Sequence, residues 1–479
     1  MKRASIAGPL ILILIGTAFL VKNIWPEIRM FELVMNYWPF ILIGWGVLRL
    51  LEILVVYARG GKLPAAGISG GEWALVILFT VVSTSIWGIE RWSRDGFGRI
   101  RVGGLEVFGE SFEYPVQTVT AKAGAKPKLI VEIPRGAIRV SGAATEEITV
   151  NGRKTVKAMD RARADELDRE SKVESAVSGD LVTLRMGSPE KEGATVSMDL
   201  EIAVPAGAAV EVRGRSGDVE VSGVGGGVRI DRENAGVRLS KVGGKVEVDI
   251  RKLDILRATG VAGDVTVKGR GRDIELEDVT GSVMVDGSYS GETHLRRIAG
   301  IVRFQSPVTE FRVESVPGEL ALSLSTLTAT RVKGPFIAKA KSKDVQLTDV
   351  SEAIELEIGR GDVEIRQSKA PVARLSVEVD SGDVELAFPA NAKFSITGET
   401  ERGEIANSFD DKFKVEMLRK DGARLTGSSG AGPDLRVKTR RGLVNLRKMS
   451  AAESASLGSQ APAAAPAKEL PAPQKAENQ

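Results

Sequence analysis

The 479-residue chain carries 66 lysine and arginine residues against 63 aspartate and glutamate residues, a formal net charge of +3. This balance argues against a dedicated nucleic-acid-binding protein, which usually has a strong basic excess. The absence of cysteine excludes disulfides, thiolate catalysis and iron–sulfur clusters, and the single histidine, His294, excludes multi-histidine metal sites. Sixteen of the 24 aromatic residues, including all six tryptophans, lie in the first 115 positions, so the chain has two compositionally different parts.

The first 92 residues read as a membrane region. Three apolar stretches, at about 6–21, 37–57 and 73–89, are each close to the ~20 residues that cross about 30 Å of hydrocarbon. Tryptophans lie near their ends, where amphipathic rings favour the headgroup level. A cleaved signal peptide is the alternative for the first stretch. Two further stretches follow it at once, so we predict a three-helix transmembrane anchor.

Two charged residues, Arg49 and Glu52, lie inside the second stretch. They are three positions apart and therefore share one helical face. Charges inside a membrane are functional candidates by default. Because these two can pair with each other, and Glu52 is close enough to the helix end to snorkel, the pattern favours a structural role.

The same region resembles a known module. The run GPLILILIGTAFL, a short polar loop and then WPFILIGWGVLRLL occupy roughly residues 8–55. This order of a Gly-rich span, Trp-Pro and an Ile-Gly-Trp-Gly span is similar to the transmembrane module of the Lia-type cell-envelope stress proteins. The resemblance implies a bacterial envelope location and a link to stress signalling.

The sequence pattern changes after Trp92. Residues 93–115 form a Gly-rich connector, and residues 116–447 have the period of two that is typical of strands. In TVSMDLEIAVP, at 195–205, apolar and polar residues alternate, which predicts one buried face. The charged stretch 157–171 lacks a continuous apolar face and is expected to be an exposed loop or short helix. The Ala/Pro-rich tail 448–479 is typical of a disordered spacer.

A short repeat organises the domain. Similar five-residue units recur about every nine residues and later about every 21, including GDVEV at 217, GGVRI at 226, AGVRL at 235, GKVEV at 244, GDVTV at 263, GDVEI at 361 and GDVEL at 382. One unit buries two or three aliphatic side chains, which cannot offset the ordering entropy of nine residues. Stacking must therefore supply the core, and we predict a mainly β fold, a parallel β-solenoid. Antiparallel meanders are the alternative, and the number of strands per coil is left open.

The first GDVEV unit shows how each repeat would pack. Val219 and Val221 are expected to point inward and Glu220 outward, because successive side chains of a strand alternate. The turn after them lets Val224 point inward again. A narrow interior suits Val, Ile and Leu, which accounts for the scarcity of aromatic residues in this part of the chain.

The repeats also resemble a family. Gly-Asp-Val units at 216–221, 360–365 and 381–386, preceded by serine in the first and third and by Arg360 in the second, together with VSMDLEIAVPAGAAVEV and LAFPANAKFSITGETERGEI, look like the bacterial "putative adhesin" family of β-strand repeats. The resemblance covers roughly residues 120–446, and the family is one of unknown molecular function that supplies no catalytic residue. The middle copies TEFRV at 309 and TATRV at 328 lack the Gly-Asp corner, so the stack is expected to be less even there.

Candidate chemistry is sparse. Asp218, Asp264, Asp362 and Asp383 follow glycine at strand entries, where calcium ligation and turn formation are both conceivable. The Gly-Gly-x-Gly-x-Asp signature of calcium solenoids is absent, so we expect each Asp to bond its own turn. His294 occupies an outward position and is expected to be a solvated surface residue. No nucleophile elbow, phosphate loop or HExxH motif occurs, and we predict no catalytic, cofactor-binding or metal-binding residue and no enzyme activity.

The sequence therefore favours a bacterial inner-membrane protein whose anchor carries a β-solenoid as a binding or structural surface. The expected partners are the lipid bilayer, an envelope protein or polymer on the solenoid face, and a second copy of the chain, with no nucleic acid and no cofactor. One alternative is an envelope-stress sensor or regulator that acts on a signalling partner. Another is a self-assembling scaffold.

The positive-inside rule gives an orientation. Lys2 and Arg3 lie on the same side as Arg59 and Lys62 of the second loop, which favours a cytoplasmic amino terminus. Three spans then place the β-domain outside the cytoplasm. The arginines at 91–101 oppose its export, but long domains translocate largely regardless of charge.

Overall fold

The computed structural model describes residues 110–158, 160–186, 195–418 and 421–459. The chain divides into two compact units, residues 1–102 and 103–479, and every described residue belongs to the second. The three predicted spans, the Lia-like run, Arg49 and Glu52 lie outside the described residues. Within the described ranges, no helix is long and apolar enough to cross a bilayer.

The described residues form 31 strands and two helices. The strands are β1 (Glu110–Pro115), β2 (Val119–Lys122), β3 (Lys128–Glu132), β4 (Ile138–Ala143), β5 (Glu147–Ala158), β6 (Val173–Ser178), β7 (Leu181–Met186), β8 (Thr195–Pro205), β9 (Ala209–Ser216), β10 (Val219–Val224), β11 (Val228–Val242), β12 (Val246–Val261), β13 (Val265–Val279), β14 (Val283–Tyr289), β15 (Thr293–Ile298), β16 (Val302–Gln305), β17 (Thr309–Val313), β18 (Val316–Leu322), β19 (Thr326–Lys333), β20 (Phe336–Ser342), β21 (Asp344–Ser351), β22 (Ala353–Arg360), β23 (Val363–Arg366), β24 (Arg374–Ser381), β25 (Val384–Pro389), β26 (Ser395–Arg402), β27 (Ile405–Ser408), β28 (Lys414–Leu418), β29 (Gly422–Ser428), β30 (Asp434–Arg441) and β31 (Val444–Met449). The helices are α1 (Arg161–Glu170) and α2 (Ala451–Ser459).

The strands form two faces around one aliphatic core. Face A has the hydrogen-bonded order β6-β7-β3-β9-β11-β12-β13-β14-β16-β17-β20-β22-β24-β30-β26-β29-β28. Face B begins with β1 and β2 on β5 and continues β8-β4-β10-β11-β12-β13-β15-β18-β19-β21-β23-β25-β31-β27. The long strands β11, β12 and β13 run through both faces and join them into one nearly closed sheet.

The repeats pair in parallel with an offset of two units. Val219 of β10 lies opposite Val237 of β11, and Val228 of β11 lies opposite Val246 of β12, so equivalent residues are 18 positions apart. Two nine-residue units therefore make one coil, one strand on each face. This confirms the predicted mainly β, parallel architecture of the repeats, and the antiparallel alternative is wrong for them.

The side-chain directions of the first repeat also follow the prediction. Val219 and Val221 are 0% exposed and Val224 is 1% exposed, whereas Glu220 is only half-buried. The inward residues of β8 are likewise buried in alternation, up to Val204, and the strand ends at Pro205. The period of two thus places aliphatic side chains between the faces along the whole stack.

The stack is interrupted in its middle, where the sequence predicts less even repeats. There β16 and β17 form an antiparallel hairpin on face A, and β18 and β19 form another on face B. The chain thus crosses each face twice before parallel coils resume at β20. The rings of Phe304, Phe311 and Phe336 stack across three neighbouring strands, with centroids 5.2 and 6.5 Å apart. Aromatic residues replace the aliphatic ladder where the coil pattern is lost.

A helix covers the end of the core that is nearest to β1. The stretch 157–171 contains the predicted short helix, but α1 does have an apolar side, because Ala164 and Leu167 are fully buried. The Lys154 ammonium is buried beneath it and donates to the Asp168 and Ser171 carbonyl oxygens at 2.7 and 3.0 Å. This cap is not a repeat and closes the stack.

At the end of the stack opposite to α1, the order of the strands in space differs from their order in the chain. Strand β30 inserts between β24 and β26, and β31 between β25 and β27, so the last coil in sequence is not the last in space. Phe388, Phe394, Phe409 and Phe413 form a cluster there, with Phe394 5.2–5.3 Å from the other three ring centroids.

Two boundary segments differ from the sequence prediction. Strand β1 lies within the predicted connector, because it pairs with β5 along its full length. Helix α2 lies within the predicted disordered tail; Glu453 in its first turn pairs with Arg447 of β31 at 2.8 Å.

Candidate binding surface

The Gly-Asp corners link neighbouring coils. The Asp362 carboxylate accepts a hydrogen bond from the Asp383 amide at 2.9 Å, and the Asp383 carboxylate accepts one from the Leu443 amide at 2.8 Å. The same bond joins Asp218 to Gly236 and Asp264 to Ser282. The expectation that each Asp bonds its own turn is wrong, since the amide belongs to the adjacent coil. These four aspartates build the corners of the stack.

Buried polar side chains complete the corners from inside. Arg232 is 2% exposed, and its Nη1 donates to the Gly136 and Gly217 carbonyl oxygens at 3.0 and 2.9 Å. Burial lowers the pKa of Arg232 to about 10, which leaves the guanidinium charged at neutral pH. Thr400 and Thr439 donate to other corner carbonyls. Arg232 was not predicted from the sequence as a buried polar residue, although its even spacing from Val228 marks it as inward.

A row of charges runs along the outside of face B. Arg139 lies between Glu201 and Glu220 and bonds both, at 2.9 and 3.1 Å. The hydrogen bond with Glu220 is the main cause that raises the Arg139 pKa above its ordinary value. Farther along, Arg257 bonds Glu275 at 2.7 Å. Most charges of this row are therefore neutralised by a neighbour one strand away.

His294 lies in that row but is not fully solvated, contrary to the sequence prediction. Its side chain is 29% exposed, with Nε2 3.1 Å from Glu292 and Nδ1 3.6 Å from Glu319. Arg296 bonds Glu319 at 3.0 Å and competes for the same carboxylate. The antiparallel strand β18 pairs beside His294 and brings Glu319 to it, and a repeat-based prediction does not include this strand.

A shallow groove of about 370 Å³ lies on face B beside the later corners. Its column of carboxylates includes Asp344, Asp362 and Asp383, each of which already accepts an amide from the next coil. Glu385 in the same groove bonds Arg447 at 2.6 Å. Among the residues that the structure describes, no group of three or more His, Asp or Glu side chains could hold a metal ion.

A larger groove, of about 540 Å³, lies on the outside of face A. The charged row beside it is again paired, with Lys339 and Glu357 at 2.6 Å and Arg440 and Asp380 at 3.2 Å. Its other lining residues come from the β16–β17 turn and from strands β20 and β22, and they include Ser306, Pro307, Val308, Thr309, Lys341 and Gly359.

The groove exists because Gly359 has no side chain to fill it. Gly359 stands in β22 between the exposed Lys341 and the Asp380–Arg440 pair, so this row lacks a side chain at that strand. Val308, which is 55% exposed, forms one wall. The groove thus offers a cation, an ion pair and an apolar wall on a rigid sheet. Such a surface can bind a ligand that lies along the sheet.

Several solved structures match part of this chain. A "putative cell adhesion protein" from Clostridium sporogenes shares 9% identity over 70% of this chain and 100% of its own, with a TM-score of 0.18. A "putative adhesin" from Bacteroides fragilis shares 11% over 71% and 97%, with a TM-score of 0.17. A "putative lipid binding protein" from Parabacteroides distasonis shares 10% over 70% and 96%, with a TM-score of 0.19. No curated protein matches the chain.

A family model covers the repeat domain. It matches residues 123–447, nearly the same range, 120–446, over which the sequence resembles a β-repeat family. The Lia-type module lies outside this range and stays a prediction. The match includes the parallel coils, the central hairpins, the inserted strand β30 and most of β31. The chain belongs to the Toastrack DUF4097 family.

Proposed function

We propose that the chain is a non-catalytic binding protein of the bacterial cell envelope, held in the inner membrane by its first 92 residues. The three apolar stretches with flanking tryptophans support the anchor. The rigid, self-neutralised faces of the β-domain support a binding or structural role, because function on such a scaffold lies in surface sites rather than in the fold.

The groove beside Gly359 is the observation that carries this proposal. Most charges nearby have a partner on the next strand, whereas Lys341 has no ion-pair partner among the described residues. Neighbouring strands are about 4.8 Å apart, so polar groups repeat along the groove at a fixed spacing. A linear envelope polymer with anionic and hydrogen-bonding groups fits this pattern, and Lys341 would contact its anionic groups.

Binding can be measured by co-sedimentation with purified peptidoglycan sacculi. We expect residues 103–479 to pellet with sacculi, and Lys341→Glu to reduce the bound fraction several-fold because it replaces a cation of the groove with an anion. Lys252→Glu, an equal charge change at an exposed position of β12, is the matched control and should bind as the unaltered protein does. Equal losses for both variants would show that net charge, rather than the groove, governs binding.

The location of the domain is a separate prediction. We expect a protease added to intact spheroplasts to digest the β-domain, because Lys2, Arg3, Arg59 and Lys62 favour a cytoplasmic amino terminus. A cytoplasmic marker protein must stay intact in the same sample. Digestion only after lysis would place the domain in the cytoplasm. The envelope-binding proposal would then fail, and an intracellular regulator would become the leading interpretation.

A further inference from the structure

Strand β28 leaves one edge of face A unpaired. Its hydrogen-bonded neighbour is β29, and no described strand pairs with its other side. It lies at the end of face A opposite to the helix-capped end. An unpaired edge presents a row of free N–H and C=O groups that can template pairing with another strand.

The inner side of β28 is apolar and uncovered. Val415 lies opposite Leu425 and Met417 opposite Ala423, and both partners are fully buried. Directly opposed residues point to the same side of a sheet, so Val415 and Met417 extend the core-facing side. They are nevertheless 38% and 73% exposed, because the described strands of face B end at β27 and do not lie over them.

The outer side of the same strand carries one cation and one anion. Lys414 and Glu416 are two positions apart, and both are exposed. Neither has an ion-pair partner among the described residues. An antiparallel copy of this strand, centred on Val415, places each Lys414 opposite Glu416 of the other copy and Val415 opposite Val415.

We propose that two copies of the chain pair through β28, antiparallel and about a two-fold axis at Val415. The pairing continues face A across the interface, satisfies the free edge, and joins Val415 and Met417 of both copies into one apolar strip. Two symmetric Lys414–Glu416 pairs fix the register. Because the contact is isologous, it closes at a dimer and does not lead to fibres.

Other registers of β28 and the β6 edge of face A are less favourable for pairing two copies. An axis placed between two residues, such as Val415 and Glu416, would oppose inward with outward side chains. Centring on Glu416 or Lys414 would set like charges directly opposite, which is destabilising. At the far end of face A, β6 also has a free edge and an exposed Val177, but its self-pairing offers no charge pair.

The absence of cysteine allows a direct test in the full-length chain. A single cysteine can form a disulfide only with a second copy, and directly opposed strand residues are close enough for one. In native membranes under mild oxidation, we expect Val415→Cys to yield a disulfide-linked dimer about tenfold faster than Glu401→Cys, an exposed position on β26. Val177→Cys should match the Glu401→Cys rate.

Charge exchange tests the register. In the Val415→Cys background, Lys414→Glu should slow cross-linking by about tenfold, because two attractive pairs become repulsive. Adding Glu416→Lys restores opposite charges across the interface and should restore the rate. An edge that associates through its apolar residues alone would show no such rescue.

Three results would overturn the proposal. Equal cross-linking rates for Val415→Cys and Glu401→Cys would mean that the β28 edge stays unpaired, which rejects the dimer. Faster cross-linking of Glu416→Cys than of Val415→Cys rejects the register. A heterodimer of Val415→Cys with Val177→Cys, in place of the Val415→Cys homodimer, means head-to-tail pairing of β28 with β6.

Discussion

Val219→Asp is expected to destabilise the β-domain by about 4 kcal/mol or more. Val219 is 0% exposed and stacks in register between Ile138 and Val237. An aspartate there would either hold an unpaired charge in the aliphatic stack or be protonated at a large shift in pKa. Chemical denaturation of residues 103–479, followed by circular dichroism, measures the loss.

The matched control is the next residue. Glu220 points outward, and its side chain is 46% exposed and bonds Arg139 at 3.1 Å. Glu220→Gln keeps the shape and removes the charge, so the loss should stay below about 1 kcal/mol. Lysine is a poorer control, because Glu220 also lies opposite Arg238 and a cation would be repelled. Similar losses for Val219→Asp and Glu220→Gln would contradict the inward and outward assignment.

The sequence was sufficient to predict the direction of each repeat side chain. Alternation in a strand depends only on neighbours in the chain, so Val219 and Glu220 could be assigned from five residues. The number of strands per coil could not be predicted, because a nine-residue period fits any stack of equal units. That number depends on pairing between distant residues, such as Val219 with Val237.

The irregular parts of the stack were harder to predict from the sequence, because they also depend on pairing between distant residues. The loss of Gly-Asp corners near Thr309 and Thr328 predicted an uneven stack, but not the two antiparallel hairpins that replace the coil. Nothing in the local sequence predicts that β30 inserts between β24 and β26, because the sequence of β30 resembles that of the other repeats. Only the phenylalanines mark these places, since all seven of residues 116–447 belong to the central stack or the end cluster.

The candidate groove could not be read from the sequence. It depends on Gly359 standing beside Lys341 and Asp380, which are 18 and 21 residues away and meet only through the register of β20, β22 and β24. The sequence also does not show that β28 is an exposed edge strand, because its residues alternate as those of a buried strand do. Its exposure follows from where the stack ends, which is a property of the whole domain.

Gly217→Ala is expected to cost about 3 kcal/mol, although it adds a single methyl group. Gly217 has a φ of +125°, a region that is essentially restricted to glycine. A β-carbon there would lie 2.1 Å from the Gly136 carbonyl oxygen, the same oxygen that accepts from the buried Arg232. To avoid this clash the two coils would have to move apart, which would weaken the hydrogen bonds of Arg232. The denaturation midpoint of residues 103–479 is the readout.

Gly223, six residues later in the same coil, is the control. Its φ of +67° is left-handed, but an added β-carbon would be no closer than 3.6 Å to its nearest neighbour. The next coil places Lys241, with a φ of +53°, at the equivalent position, so this corner accepts a side chain. Gly223→Asn should therefore cost less than about 1 kcal/mol, since asparagine tolerates this conformation well. If the two substitutions cost the same, left-handed backbone alone would set the penalty, and the close approach of the coils at Gly217 would be irrelevant.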